Sequence, residues 1–126
     1  EQILKMYSSK KLEFTFTPHL TPMFRGILTT IYVKLEKNSS IEKIYRKLKH
    51  FYKNNIFIKV LEVNSLLSTN DTINSNNCLI SICKSKYKDK VIILSSIDNL
   101  IKGGAGQGVQ NLNIKYNFPI EMGLRK

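Results

Sequence analysis

Acidic residues are scarce in this chain: Asp and Glu number 9 against 20 Lys and Arg in 126 residues, a formal charge of +11. Paired acids at a spacing useful for acid-base work do not occur, nor does a Ser-His-Asp arrangement or an HExxH motif. Long apolar runs are also missing. None reaches the roughly eighteen uninterrupted residues a membrane span needs, because Lys or Glu breaks each one, so no membrane partner is expected. The start, Glu1-Gln2-Ile3-Leu4-Lys5, has neither an initiator Met nor the charged-then-apolar order of a signal peptide, and it reads as the interior of something longer. Cysteine is limited to Cys78 and Cys83. Their spacing puts them on opposite faces of a strand, which suits neither a zinc site nor a disulfide framework. Both read as small buried hydrophobes in a reducing compartment, and no metal site is expected.

What is present is enough for a core. Apolar residues make up 42% and aromatics 10%, which is near the globular norm and argues for one packed domain rather than disorder. The positive charge invites a nucleic-acid reading, since lysines near phosphates release counterions. Against it, only Arg25, Arg46 and Arg125 are not Lys, and the lysines accompany an excess of Asn and Ile that AT-rich codon usage also produces. No module of interleaved aromatics and bases is recognisable, so specific nucleic-acid binding is not expected.

Residues 1–8 place Ile3, Leu4 and Tyr7 at helical spacing and read as the end of a helix. Leu12 to Thr17 alternates with Leu12, Phe14 and Phe16 on one face, the pattern of a half-buried strand that stops at Pro18. Pro18 to Gly26 holds two prolines, a His, an Arg and a Gly, and reads as a shaped loop. Gly26 to Leu35 alternates again and predicts a strand near the middle of a sheet. Ser39-Ser40-Ile41-Glu42 predicts a capping box in which the Ser39 hydroxyl accepts from the Glu42 N–H, opening a helix over 39–53. Its apolar stripe is Ile41, Ile44, Tyr45, Leu48 and Tyr52. Ile56 to Val63 is a third strand, 64–77 a long polar loop, and 78–83 and 91–96 two strands of a hairpin.

From Asp98, which can cap it, a helix is predicted to about residue 117, although it opens on Lys102-Gly103-Gly104-Ala105-Gly106-Gln107-Gly108. Four glycines would cost a helix about 3 to 4 kcal/mol against alanine, and close approach of a backbone or ligand is the usual compensation. Their spacing is not that of a Rossmann fingerprint. The fold class that results is α+β: a mostly antiparallel sheet of about five strands, a covering helix and a C-terminal glycine-rich helix.

Among chemistry-bearing residues, His19 in the Pro-bounded loop and Arg25 six residues on can pair a proton-transfer group with an anion-binding one. The alternatives are a loop His bonded to a backbone carbonyl and an Arg that holds the loop. His50, beside Phe51 on the lysine-rich helix, reads as a surface residue.

Three blocks carry a resemblance: Phe16-Thr17-Pro18-His19-Leu20-Thr21-Pro22-Met23-Phe24-Arg25-Gly26-Ile27-Leu28, Ser75-Asn76-Asn77-Cys78, and Ile97 to Asn113 with its glycine string. With the terminal Pro119-Ile120-Glu121-Met122-Gly123-Leu124 they make the chain from about Leu12 onward resemble the C-terminal half of the N-acetyl-gamma-glutamyl-phosphate reductases. The resemblance implies the α+β domain of the glyceraldehyde-phosphate-dehydrogenase-like enzymes. It divides into a substrate and dimerisation domain at about 9–97 and a helix at 98–117 that packs on an N-terminal Rossmann domain outside this chain. The reaction it implies is NADP(H)-dependent reduction of N-acetyl-glutamyl 5-phosphate to the semialdehyde with release of phosphate, through a cysteine thioester. His19 then matches the active-site histidine and Arg25 a basic residue facing substrate. Gln107 matches an amide at the nicotinamide, beside which Gly103, Gly104 and Gly106 leave room for cofactor.

Three departures matter. Gly104 and Gly108 stand where the family usually has Ala, which loosens the helix but fits the same space. Asn74 stands where the family tends to have Gly, a turn that Asn, tolerant of a left-handed backbone, can keep. The nucleophilic cysteine is absent, since Cys78 and Cys83 lie downstream of its place, so the chain alone is expected to be inactive. A homo-oligomer is expected, in cytoplasm or plastid. The rivals are an aspartate-semialdehyde-dehydrogenase-type reductase with another acyl phosphate, and a non-catalytic basic binding or structural domain.

Overall fold

In a computed structural model, the described residues are 6–7 and 13–126. The helix end expected at 1–8 therefore falls outside them apart from Met6 and Tyr7. Four strands form one sheet: β1 (Ile27–Lys34), β2 (Ile58–Val60), β3 (Cys78–Lys84) and β4 (Lys90–Ile97). Their order is β1-β4-β3-β2, with β1 and β3 antiparallel to the central β4 and β2 parallel to β3.

Alternation along the strands gives the sheet two distinct faces. Ile31, Ile93 and Ile82 share one register row, and Val33, Val91 and Lys84 the next, on the face that α1 (Ile41–Phe51) covers. Ile41, Ile82 and Val91 are buried there, with Val33, Ile44, Tyr45, Leu48, Val63 and Ile93 packed around them. The other face carries Thr72, Ser81 and Ser96 under the loop that links β2 to β3. Ser81 Oγ donates to Ser65 O at 2.6 Å, Ser96 Oγ to Ser68 O at 3.1 Å, and Thr72 and Ser96 hydroxyls meet at 2.8 Å. A short 3-10 turn, Thr69–Asp71, braces that loop through a Ser68–Asp71 capping box.

Four expectations change. Leu12 lies outside the described residues, and 13–17 form no strand, with Phe14 and Phe16 exposed. The sheet thus has four strands where about five were expected. β1 is an edge strand rather than a central one, so Ile27, Leu28, Ile31 and Tyr32 are exposed. Long alternation signals a strand but says nothing about what lies beyond its outer edge. Finally, the cap of α1 is Ser40, whose hydroxyl accepts from Lys43 N–H at 3.2 Å, not Ser39. A Lys at the third helical position cannot return the bond to the cap backbone, so the box does not close. The two cysteines are free and half-buried rather than buried.

Removing the true cap should cost about 1 kcal/mol. Ser40→Ala is therefore expected to lower the urea midpoint clearly and Ser39→Ala hardly at all. Equal losses would move the cap back to Ser39.

Candidate functional site

The residues the sequence singles out gather at one end of the sheet, where β4 ends and β1 begins. Asp98, the residue after β4, is fully buried. Its carboxylate accepts from Leu100 N–H at 2.8 Å and Ile101 N–H at 3.0 Å, the cap the sequence predicts. It also accepts from Asn74 N–H at 2.8 Å and from Arg25 Nε at 2.8 and 3.0 Å to its two oxygens. Burial alone would raise this carboxyl's pKa, yet the Arg25 guanidinium and the three backbone N–H groups outweigh it and hold it below the usual aspartate range. Next to it, Asn99 Oδ1 accepts from Gly26 N–H at 2.7 Å. Gly26 has φ +107°, and a Cβ there would lie 2.6 Å from Thr69 Cβ. Asn74 itself has φ +62°, the left-handed turn its side chain type allows.

Arg25 is thus tied to Asp98, and Arg25 and Gly26 fix the return of the His19 loop to the sheet. His19 stands out from the body. Pro18 and Pro22 flank it, and Leu20 and Phe24 are almost wholly exposed alongside. Its Nδ1 lies 3.1 Å from Thr17 O. A carbonyl can only accept, so Nδ1 carries the proton and Nε2 of the neutral ring is left as the acceptor. His50 is exposed in the last turn of α1, far in sequence from this end.

The glycine string does not form one regular helix. Ile101–Ala105 is a wide π-type turn, with Gly103 N–H bonded to Asp98 O and Ala105 N–H to Leu100 O, both at 2.9 Å. Gly104 departs from helical dihedrals (φ −147°, ψ −115°). The α-helix proper, α2, is Gly106–Lys115. Only Gly106 and Gly108 therefore burden it, at about 2 kcal/mol together rather than the 3 to 4 expected for four.

Gly106 is buried, and its missing side chain is accounted for within this chain. A Cβ would lie 2.5 Å from Ile101 Cγ2 and 2.6 Å from Asn76 Oδ1. That Asn76 oxygen is buried without a hydrogen-bond partner, facing the glycine Cα where only a weak C–H···O contact is available. Asn76 Nδ2 donates to Gln110 Oε1 at 2.9 Å, and Lys102 Nζ donates to the same oxygen at 2.8 Å. Lys102 also lies over the Phe57 ring at 5.6 Å, and burial lowers its pKa, partly opposed by Cys78. Gly103, Gly104 and Gly108 by contrast are exposed, with nothing within 4 Å of a Cβ at Gly108. A Cβ at Gly103 would lie 3.3 Å from Ile97 Cδ1 and one at Gly104 3.2 Å from Asn99 O, so only Gly108 faces open space. Gln107 precedes it, its Nε2 donating to Asn111 Oδ1 at 3.0 Å. Among the described residues no group of His, Cys, Asp and Glu could hold a metal ion.

Sequence reasoning found the Asp98 cap but missed its Arg25 and Asn74 partners, and it missed Asn76 and Lys102. The signal for Asp98 was the lone acid ahead of the glycine string. Pairing across 73 residues leaves no local trace.

This architecture is shared with solved enzymes. An aspartate semialdehyde dehydrogenase from Francisella tularensis superposes with a TM-score of 0.58 over 75% of this chain and 27% of that one, at 24% identity. The fold is therefore that of the α+β domain of such dehydrogenases. The family model of the semialdehyde dehydrogenase dimerisation domain matches residues 1–99, and the chain belongs to that family. Two relatives named N-acetyl-gamma-glutamyl-phosphate reductase are similar throughout. One from Staphylococcus aureus (strain MRSA252) is 39% identical over all 126 residues, and one from Geobacter metallireducens is 44% identical over 124. The chain spans 37% and 36% of their lengths.

Two outcomes follow from this packing. Gly106→Ala should cost about 1 to 3 kcal/mol through the clash with Ile101 and Asn76, while Gly108→Ala should stabilise by up to about 1 kcal/mol, both read from urea unfolding. Similar effects at the two positions would refute the Asn76 contact. The lowered Asp98 pKa makes its contribution complete above the ordinary aspartate value of about 3.9 and lost as pH falls through the lower folded value. The gap in urea midpoint between the unaltered chain and Asp98→Asn should accordingly narrow as the pH drops from 6 toward 3.

Proposed function

We propose that this chain is the C-terminal part of an acyl-phosphate reductase that converts N-acetyl-glutamyl 5-phosphate to N-acetyl-glutamate 5-semialdehyde and phosphate, in arginine biosynthesis. The observation that carries the reading is the exposed His19 imidazole, fixed in one tautomer by Thr17 O with Nε2 left to accept a proton, in a chain 39–44% identical to proteins of that name.

In this reading a cysteine thiolate from outside the chain attacks the acyl carbon and phosphate leaves. His19 Nε2 takes the thiol proton, returns it to the thiohemiacetal oxygen that hydride addition leaves, and takes it back as the C–S bond breaks to release the aldehyde and the cysteine thiolate. Bound NADPH supplies hydride to the acyl carbon. Gly103, Gly104 and Gln107 would receive its nicotinamide end, and Gly106 seats the helix that presents them. Arg25, whose bonds to Asp98 run through Nε, keeps its Nη groups for an anionic part of the substrate. Binding of the rest of the cofactor falls to an N-terminal Rossmann domain.

The protein works as a homo-oligomer in the cytoplasm. Support for assembly lies in the outer edge strand, where Leu28 and Tyr32 are 46% and 73% exposed, Leu28 opposite Ser96 and Tyr32 opposite Ile92 in register. Exposed apolar side chains on an edge strand are suited to a second copy.

Loss of a general base costs about 10² to 10⁴ in rate. In the full-length protein His19→Asn should lower kcat at least a hundredfold while KM for NADPH stays within about threefold, measured by NADPH oxidation with the acyl phosphate. Retention of more than a third of kcat would remove His19 from the mechanism.

A further inference from the structure

Two segments that the proposed reaction needs, the His19 loop and the glycine-rich turn, touch the sheet at the same buried carboxylate. Asp98 Oδ1 caps the turn through Leu100 and Ile101 N–H, while Oδ2 takes Asn74 N–H and both oxygens face Arg25 Nε. The neighbouring Asn99 holds Gly26 N–H, in a backbone conformation that only glycine adopts easily and against a Thr69 side chain that leaves no room for a Cβ. The loop therefore re-enters the sheet in one position, and the turn leaves it in one position, both measured from residues 98 and 99.

We propose that Asp98 is a positioning residue of the reductase site, a clasp that sets the His19 loop and the nicotinamide-facing turn in a fixed relation through Arg25 on one side and the helix cap on the other. The inference rests on the reductase reading for its catalytic consequence and on the geometry alone for the clasp. A merely structural buried acid would be served by any set of partners. Here the partners are divided between the two segments, and the charge that requires burial beside Arg25 is met only when both are seated. Orientation of a proton-transfer group to within a fraction of an ångström is worth orders of magnitude in rate, so slackening the clasp should lower kcat and leave ground-state binding largely intact.

Asp98→Asn is the direct test. With its amide oxygen kept on Leu100 and Ile101 N–H, its Nδ2 meets two donors, Asn74 N–H and Arg25 Nε, so the cap survives while the loop is released. Arg25→Lys is the second variant. It leaves Asp98 its three backbone partners and removes the planar fork, and it serves where Asp98→Asn does not fold. In the full-length protein each should lower kcat about tenfold or more with KM for NADPH within about threefold; KM for the acyl phosphate should stay within about threefold in Asp98→Asn and rise in Arg25→Lys, which also loses the Nη groups assigned to the substrate. The double variant should be no worse than the poorer single, since both break one link. Independently of turnover, trypsin should spare the bond between residues 25 and 26 in the unaltered protein and cut it in either variant. Unchanged kcat together with unchanged cleavage overturns the clasp. Faster cleavage in a protein that shows no reductase activity even when unaltered upholds the clasp and overturns the reductase reading. Additive losses in the double variant, or losses confined to KM, refute the positioning role.

Discussion

The carboxylate of Asp98 is the constraint on which the rest of this end of the molecule depends. An ionised acid with no solvent exposure is tolerated only when every lone pair finds a donor, because breaking such a pair costs about 3 to 5 kcal/mol. The donors come from three separated stretches, Arg25, Asn74, and Leu100 with Ile101. Satisfying one acid therefore brings together a loop, a turn and a helix start that share little apolar surface. The left-handed Asn74 and the positive φ of Gly26 follow from the same demand, since both residues must turn sharply to present their neighbours to residues 98 and 99.

The wide turn over Ile101–Ala105 is the next consequence. With Asp98 and the backbone of Leu100 and Ile101 pinned, Gly103 N–H reaches back five residues to Asp98 O, so the chain opens a π-type turn before tightening into α2. Such turns are frequent at functional sites, and this one places glycine on the outside and Gly106 on the inside. Inside, the absent Cβ admits the Asn76 amide, whose nitrogen shares the Gln110 oxygen with Lys102. Outside, the backbone is bare. One stretch of sequence thus answers different needs: close packing at Gly106, tighter-than-usual space at Gly103 and Gly104, and open space at Gly108.

Much of this was legible beforehand. Alternation in 26–35, 78–83 and 91–96 predicted β1, β3 and β4 within about a residue or two at each end, and the stripe from Ile41 to Tyr52 predicted α1 and its buried face. Those signals are local periodicities set by burial on one side. The shift of the cap from Ser39 to Ser40 shows the limit of local chemistry: two adjacent serines offer the same hydroxyl, and the choice is made by which residue the chain from Leu35 leaves in extended geometry. The glycine string was legible as an anomaly and not as a structure, because its meaning depends on Asn76, thirty residues earlier. His19 and Arg25 were each readable in two ways, His19 as a proton-transfer group or as a loop His bonded to a carbonyl, as it is to Thr17 O, and Arg25 as a ligand or a brace, and a partner across 73 residues leaves no local sign of the bond Arg25 makes.

The arm and the edge strand carry the remaining physics. Residues 13–17 have the alternation of a strand and no strand beside them, and Phe14, Phe16, Leu20 and Phe24 are exposed together with Leu28 and Tyr32. Apolar side chains account for a conspicuous part of what is uncovered, and burying them is worth about 25 cal/mol per Å². A solitary binding module gains nothing from such an arrangement, since its own core could have taken those residues. In the proposed reading, cover of the edge strand by a second copy and of the His19 arm by a neighbouring domain would add stability and close the site from the same surface. Of the described lysines, Lys43, Lys47 and Lys49 stand on α1 and Lys84, Lys86, Lys88 and Lys90 on the β3–β4 hairpin, whereas Phe14, Phe16, Leu20 and Phe24 make the exposed arm apolar.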